Sequence, residues 1–296
     1  MKLVNVAGGL GNQMFDYALC LAFRKQGNKT FVFVSEDYNS HSYGHQGYEL
    51  EKLFSINKSE HKLYGYKWYI QLLIKVLKKF SSRRRLKIYK ILQLEVITEP
   101  KSFCFYKKVF NQNKSLNQLY LGTWQSEKYF LNAKKEVRDC FKFNKNLLSK
   151  DTKLLAIEMQ ECNSVFVHIR RGDYLSEKYV TALGNICNLS YYEKSIQFLS
   201  KSINNPRFYF FSDDQEWVKE NLNIESATYV QFNYGDNSWQ DMYLMTQAKH
   251  GIIANSTFSW WGAWLIENTK KIIIGPKKWC NGSEDDDIIP NEWIKM

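Results

Sequence analysis

The chain has six cysteines in 296 residues, and no two of them stand as C-x-x-C. That scatter argues against a zinc site or a disulfide framework, and it leaves thiols expected to be reduced and mostly buried. No run of 18 apolar residues occurs, so no membrane-spanning helix is expected. The N-terminus goes directly from Met1-Lys2 into a strand-like run, without the apolar core of a signal peptide. A cytoplasmic protein is therefore expected. Helix-turn-helix, finger and RRM signatures are missing, so nucleic acid is not an expected partner. Near the start, "GGLGNQMFDYA" (Gly8 to Ala18) places three glycines in four positions. Neither the lysine of a phosphate loop nor the third glycine of a dinucleotide fingerprint follows, so this turn is not built as a nucleotide cradle.

Apolar residues make up 44% of the chain, enough for a sizeable core. Aromatics are abundant, with 9 Trp, 19 Tyr and 19 Phe. They build thick cores and also suit flat faces that pack on sugar rings or bases. The net charge of +11 is unevenly spread: residues 1–150 hold 27 Lys+Arg against 11 Asp+Glu, and residues 151–296 hold 14 against 19. Such asymmetry suggests two domains. Their expected limits are 1–155 and 156–296, with the linker near Lys145–Ile157. Ten basic residues and no acidic one lie between Lys62 and Lys90, inside a basic amphipathic insertion expected at 62–94. Its helix, within 66–90, has two readings. It packs on its own domain, or it lies peripherally on the anionic inner face of the cell membrane.

The first half opens with a strand (Leu3–Ala7), the glycine turn, a helix (Met14–Phe23) and a second strand (Phe31–Val34). The second half alternates more regularly. Strands are expected at Ser164–Val167, Phe208–Phe211, Thr228–Gln231, Gly251–Ala254 and Lys271–Ile274. Helices are expected at Tyr191–Leu199, Gln215–Asn221, Trp239–Ala248 and Phe258–Ile266. Short apolar strands alternating with helices imply a buried parallel sheet, so the fold class is α/β with two Rossmann-like domains.

In open parallel sheets, ligands bind beyond the carboxyl ends of the strands. Three of these ends carry chemistry. The first is His168-Ile169-Arg170-Arg171-Gly172-Asp173-Tyr174. Guanidinium donors suit bidentate contact with phosphate; the expected bracing pair is Arg171 with Asp173, leaving Arg170 facing outward. The second is Ser212-Asp213-Asp214, which offers a helix N-cap or a divalent-metal site. The third is Asn255-Ser256-Thr257-Phe258-Ser259, where hydroxyls and free backbone N–H groups meet at a helix start. That is an anion site, or simple capping. An arginine together with a helix N-terminus can neutralise a diphosphate without a metal. Asp285-Asp286-Asp287, near the end, reads as a solvated turn.

Taken together, "GGLGNQMFDYA", "HIRRGDY", "SDD" and "NSTFSWWGAWL" resemble the α-1,2-fucosyltransferases of glycosyltransferase family 11, in order and separation, from about Val4 to Gly275. The resemblance implies a GT-B-like fold whose two domains face a cleft, an N-terminal acceptor-side domain and a C-terminal GDP-fucose-binding domain. It implies inverting transfer of L-fucose from GDP-β-L-fucose to the 2-hydroxyl of a galactose-type residue, on a glycan such as a surface polysaccharide or lipopolysaccharide. No metal and no cofactor are expected. Arg170 would contact the β-phosphate, His168 would lie by the base, and Asp241 would read guanine. Ser256, Thr257, Phe258 and Ser259 would contact phosphate and base, with Asp213 on the donor side. Gly9, Gly11 and Asn12 would cover the fucose and diphosphate. For the proton acceptor, Asp16, His168 and Asp173 are candidates, beside Asn12 taking the place of an obvious base. Asp16 stands where family members commonly have Gln; it would alter acceptor contact or sit on the helix surface. Two other readings stay open on the residues alone: a metal-dependent GT-A-type transferase using Asp213 and Asp214, and a non-enzymatic glycan- or membrane-binding module.

Overall fold

The computed structural model describes residues 1–34, 47–54, 56, 94–110, 117–282 and 286–296. Residues 62–93 of the expected basic insertion, with the amphipathic helix within 66–90, lie outside the described residues, as does Asp285. The chain divides into two compact units, Met1–Asn144 and Lys145–Met296. The division falls at the start of the expected linker rather than at 155/156. The reason is a helix, Lys150–Glu161, that belongs to the second unit: the backbone N–H of Ser149, its N-cap, donates to Gln240 Oε1 at 2.8 Å.

The first unit is built on a parallel sheet. Its described elements are β1 (Lys2–Val6), α1 (Leu10–Lys25), β2 (Thr30–Val34), α2 (Leu50–Leu53), β3 (Leu94–Thr98), β4 (Asn117–Leu121) and α3 (Lys134–Cys140). The strand order is β2-β1-β4-β3. Val4 pairs with Val32 on one side and Tyr120 on the other. An apolar run such as Leu3–Val4 survives only where both faces are covered, and both residues are buried. Helix α1 begins four residues before the expected Met14, so Gly11 and Asn12 lie in its first turn. Its apolar positions recur around the helix, and Met14, Phe15, Ala18, Leu19, Ala22 and Phe23 are fully buried. Phe23 packs on Tyr120 with ring centroids 4.7 Å apart, and Trp124 meets Tyr129 edge-on at 5.6 Å. Each such ring removes on the order of 150–250 Å² from water, a few kcal/mol apiece. β3 and β4 are strands that the sequence pattern does not predict.

The second unit contains α4 (Lys150–Glu161), β5 (Asn163–Ile169), α5 (Val180–Leu183), α6 (Leu189–Ser202), β6 (Pro206–Ser212), α7 (Gln215–Asn221), β7 (Thr228–Val230), α8 (Trp239–Gln247), β8 (His250–Ile252), α9 (Thr257–Leu265), β9 (Ile273–Gly275) and β10 (Ile294–Lys295). All strand pairs are parallel, in the order β10-β9-β8-β5-β6-β7. β5 is central and buried from Ser164 to Ile169. Local chemistry starts the helices: Ser149, Asn188 and Asp214 accept from the backbone N–H of Thr152, Tyr191 and Trp217 at the N-termini of α4, α6 and α7. The core gathers Val165, Val167, Phe208, Phe210, Ile252 and Ile274 with Tyr192, Leu199 and Val218 from the covering helices.

The strand order places the functional positions. From β5 the chain moves outward through β6 and β7, then returns to the other side of β5 as β8. The crevice between the carboxyl ends of β5 and β8 is the topological switch point, where ligands bind in open α/β sheets. In the first sheet the corresponding point lies between β1 and β4.

Two expectations about single residues are corrected. Of the six cysteines, none of which is in a disulfide, only Cys20 is fully buried; the other five are half-buried. Asp286 is not simply solvated. It is half-buried, accepts from the Trp279 backbone N–H at 3.2 Å, and burial pushes its pKa up.

Candidate active site

β5 delivers His168 at its buried end and Arg170 just beyond it. Burial, and next the Arg170 charge, hold the His168 imidazole down to a pKa of about 3. It is therefore neutral at working pH and a weak base. Its ring faces Phe258 at 5.9 Å, and its Nδ1 is buried with no hydrogen-bond partner among the described residues. A neutral imidazole beside an aromatic ring can hydrogen-bond a planar heterocycle.

The arginine pairing differs from the expected one. Arg170, not Arg171, binds Asp173, at 2.9 Å; its other terminal nitrogen binds Asp213 at 3.1 Å. Arg171 pairs with Asp214 at 3.0 Å, and its guanidinium lies 4.0 Å from the Trp217 ring centroid. Successive side chains leaving a strand point to opposite sides, so each arginine goes to a different partner set. Burial works against the Arg170 charge, and Asp213 and Asp173 more than offset it, so its pKa is raised. Asp213 also accepts from the Arg171 backbone N–H at 2.9 Å. A Cβ at 172 would come within 2.8 Å of Asp213 Oδ2, so any other residue there pushes on the carboxylate that holds Arg170. Asp214 is the N-cap of α7, so the capping reading holds for it. Among the described residues no group of three or more His, Cys, Asp or Glu is arranged to hold a metal ion.

The β8 end joins the β5 end. Tyr174, with the Arg170 guanidinium 5.8 Å from its ring centroid, donates to the Asn255 carbonyl at 3.0 Å. The Asn255 side chain donates to the Leu183 and Trp279 carbonyls and so ties down the loop. Ser256 is the N-cap of α9 with an extended backbone, yet its side chain makes no cap bond. Simple side-chain capping is therefore not what this serine does. Ser259 is buried, with its hydroxyl on the Ser256 carbonyl at 3.3 Å. Arg170, His168, Asp173, Asp213 and the Ser256–Ser259 helix start thus come together at the switch point.

Asp241 lies in the first turn of α8, which packs against α9. Its Oδ1 accepts from Asn233 Nδ2 at 2.8 Å. Burial raises its pKa to about 7, and the Asn233 hydrogen bond opposes that rise. Asn233 itself, only 8% exposed, carries no sequence signal; it stands in a loop without a motif.

In the first unit, Gly8 has φ +77°, and a Cβ there would come within 2.5 Å of Asn12 Nδ2, so glycine is required twice over. Gly9 is the N-cap of α1. Gln13, fully buried, staples the turn: it donates to the carbonyls of Gly8 and Gly47 and accepts from the Glu49 N–H. Asn12 Oδ1 accepts from Gln125 Nε2 at 2.9 Å, linking the loops after β1 and β4. Asp16 is not on the helix surface: it is fully buried and its Oδ2 accepts from the Ala7 N–H at 3.1 Å. Burial raises its pKa well above the usual range, and nearby Glu99 adds to the rise. Glu99, Trp124 and Gln125, beyond the ends of β3 and β4, escape the sequence reading along with those strands. Each of the three, like Asp16, has a buried polar atom without a partner among the described residues.

Two units with parallel sheets, the second carrying a charged and aromatic cluster at its β5–β8 switch point, make a GT-B-like fold, and the family match assigns the class as a glycosyltransferase. The crystal structure of the α-1,6-fucosyltransferase NodZ (Bradyrhizobium) soaked with GDP-fucose superposes with a TM-score of 0.51 at 12% identity, over 90% of this chain and 92% of that one. The description of the glycosyl transferase family 11 matches residues 3–296, and the chain belongs to that family. An α-1,2-colitosyltransferase of Escherichia coli is 34% identical over 304 residues, covering 99% of this chain and 98% of that protein. The O-antigen biosynthesis glycosyltransferase WbnK of Escherichia coli is 27% identical over 307 residues, covering 98% and 99%.

Proposed function

We propose that the chain transfers L-fucose from GDP-β-L-fucose, with inversion and without a metal, to the 2-hydroxyl of a galactose-type residue in a surface glycan. The observation that carries this reading is that Tyr174 bridges the two strand ends, its ring 5.8 Å from the Arg170 guanidinium and its hydroxyl on the Asn255 carbonyl just before α9, in a chain of family 11. The second unit takes the nucleotide, and the first takes the acceptor. The acceptor oxygen attacks the anomeric carbon from the face opposite the diphosphate. The bond from that carbon to the diphosphate oxygen breaks, and its electron pair stays on the leaving GDP. Arg170 and the N–H groups of the α9 start oppose the charge that develops there. Asp213 holds the guanidinium in place. His168 and Phe258 accommodate the base, and Asp241 reads its N–H edge.

Of the three titratable candidates for the acceptor proton, His168 is a weak base, Asp16 is closed off by burial, and Asp173 is paired with Arg170 at 2.9 Å on the leaving-group side; the proton leaves to water, with Asn12 in the place of an obvious base. Asn12 and the glycine turn shape the first unit's binding surface.

The identity to an α-1,2-colitosyltransferase supports a second reading for the sugar alone, with colitose transferred in the same linkage. One experiment tests both. The protein is incubated with GDP-fucose or nucleotide-activated colitose, a panel of galactose-terminated acceptors, and EDTA. An α-1,2-linked product with either donor, undiminished by EDTA, is expected; no product with both donors, or loss of turnover in EDTA, refutes the proposal.

A further inference from the structure

Asp241 is a buried carboxylate with a one-sided hydrogen-bond supply. Its Oδ1 is held by Asn233, and no protein group donates to its other oxygen among the described residues. That oxygen is not among the buried atoms lacking a partner, so it remains open to an incoming donor. Burial raises its pKa, the Asn233 bond lowers it, and no Lys, Arg, Glu or other Asp, on α8 or on the packed α4 and α9, acts on it among the described residues. Lys150 and Asp151 flank the network on α4 without bearing on the carboxylate.

What holds Asn233 is a chain of hydrogen bonds with one direction. Thr152, fully buried, donates its hydroxyl to Asn233 Oδ1 at 3.2 Å. With its own proton committed there, Thr152 Oγ1 accepts from Ser149 Oγ at 3.0 Å. Ser149 is the N-cap of α4, accepting from the Thr152 N–H at 3.2 Å, and its own N–H donates to Gln240 Oε1, next to Asp241. Every side-chain link from Ser149 to Asp241 therefore points its proton toward the carboxylate. The Asn233 amide cannot flip, because its oxygen would then face Asp241 and its NH₂ group would face the Thr152 hydroxyl proton. Chains of this kind strengthen each member and favour an anion at their end.

We infer that Asn233 is a positioning residue for guanine recognition. Anchored through Thr152 to the α4 N-cap, it fixes the plane of the Asp241 carboxylate and presents the free oxygen to the N–H edge of the base. This inference rests on the GDP-linked donor proposed above. Adenine, which lacks an N–H at ring position 1, offers that oxygen the wrong polarity.

The test is GDP and ADP binding to the purified chain by titration calorimetry at pH 6, 7 and 8. The forms compared are the unsubstituted protein, Asn233→Ala, Thr152→Val and Thr152→Ser. The unsubstituted protein binds GDP in preference to ADP, more weakly at pH 6. Asn233→Ala weakens GDP binding at pH 7 by about ten-fold, the scale of losing a hydrogen bond to a charged group. It also moves the midpoint of the pH dependence upward, because the bond that lowers the carboxylate's pKa is gone. Thr152→Val acts in the same direction and less strongly, and Thr152→Ser restores the original profile. The diphosphate's own titration is common to all four forms. In turnover assays the donor KM rises far more than kcat falls. GDP binding by Asn233→Ala within two-fold at every pH overturns the inference and leaves the donor reading standing. An equal loss at all three pH values also overturns it, because it marks a structural role only. Failure of the unsubstituted protein to bind GDP takes down the donor reading and this inference with it.

Discussion

Replacing Asp241 by Asn trades an ionisable group for a neutral one of nearly the same shape. The amide oxygen still accepts from Asn233, so the network keeps its last link. Burial lifts the carboxyl from 3.8 to about 7 in the folded chain. That is roughly three units at about 1.4 kcal/mol each, or about 4 kcal/mol between the two protonation states. The folded state then holds a proton that the unfolded chain gives up near pH 4. Stability from this group is full below pH 4, declines as pH rises, and is lost above pH 7. Asp241→Asn has no proton to lose. Between pH 5 and 7 its stability advantage grows by about 1.4 kcal/mol per pH unit, and it levels off near pH 8. For a unit of this size 1 kcal/mol is roughly 2–4 °C in Tm, so the second unit's melting transition separates from that of the parent by about 10 °C. GDP affinity moves the other way, down by ten-fold or more, since an amide NH₂ group can stand where the base's N–H edge needs an acceptor. Thermal melts from pH 5 to 8, with GDP titrations on the same samples, read both quantities. Parallel stability curves for the two proteins, or unchanged GDP affinity, would refute the reasoning.

Arg170→Ala loses turnover by on the order of 10²-fold, the scale of removing one group that stabilises transition-state charge. Near-normal kcat in a folded variant would remove its role. Asp16 has a raised pKa, so its contribution to stability is present at acid pH and lost as pH rises above the ordinary carboxylate range. Asp16→Asn therefore melts higher than the parent above neutrality and converges with it at acid pH; a constant offset across pH contradicts a protonated Asp16. If the helix expected within residues 66–90 lies on anionic lipid, binding to vesicles containing such lipid weakens as salt rises. Equal recovery with neutral and anionic vesicles discards the membrane reading.

The β5–β9 alternation is legible because each strand is a short apolar run covered on both faces, and because Asn188 and Asp214 signal their own helices. β3 and β4 are not. "LEVIT" and "NQLYL" mix polar residues into five-residue runs, and the two strands that pair lie more than twenty residues apart in the chain. With those strands hidden, the loops at their carboxyl ends are hidden too, and Glu99, Trp124 and Gln125 sit in those loops. Asn12 stands out in the glycine turn as an expected ligand contact. Folding supplies it with Gln125, a residue 113 positions away.

The order and spacing of "GGLGNQMF", "HIRRGDY", "SDD" and "NSTFSWWG" determined the family, the parallel α/β class and the strand ends where the charged and hydroxyl residues stand. These are local properties, set by periodicity, capping and motif. Which arginine meets which aspartate, that Asp16 is buried, and that Asn233 stands between Thr152 and Asp241 were decided only in three dimensions. A side chain's charge state and partners depend on the groups within a few ångströms of it, and residues that close come from strands and loops far apart in the chain.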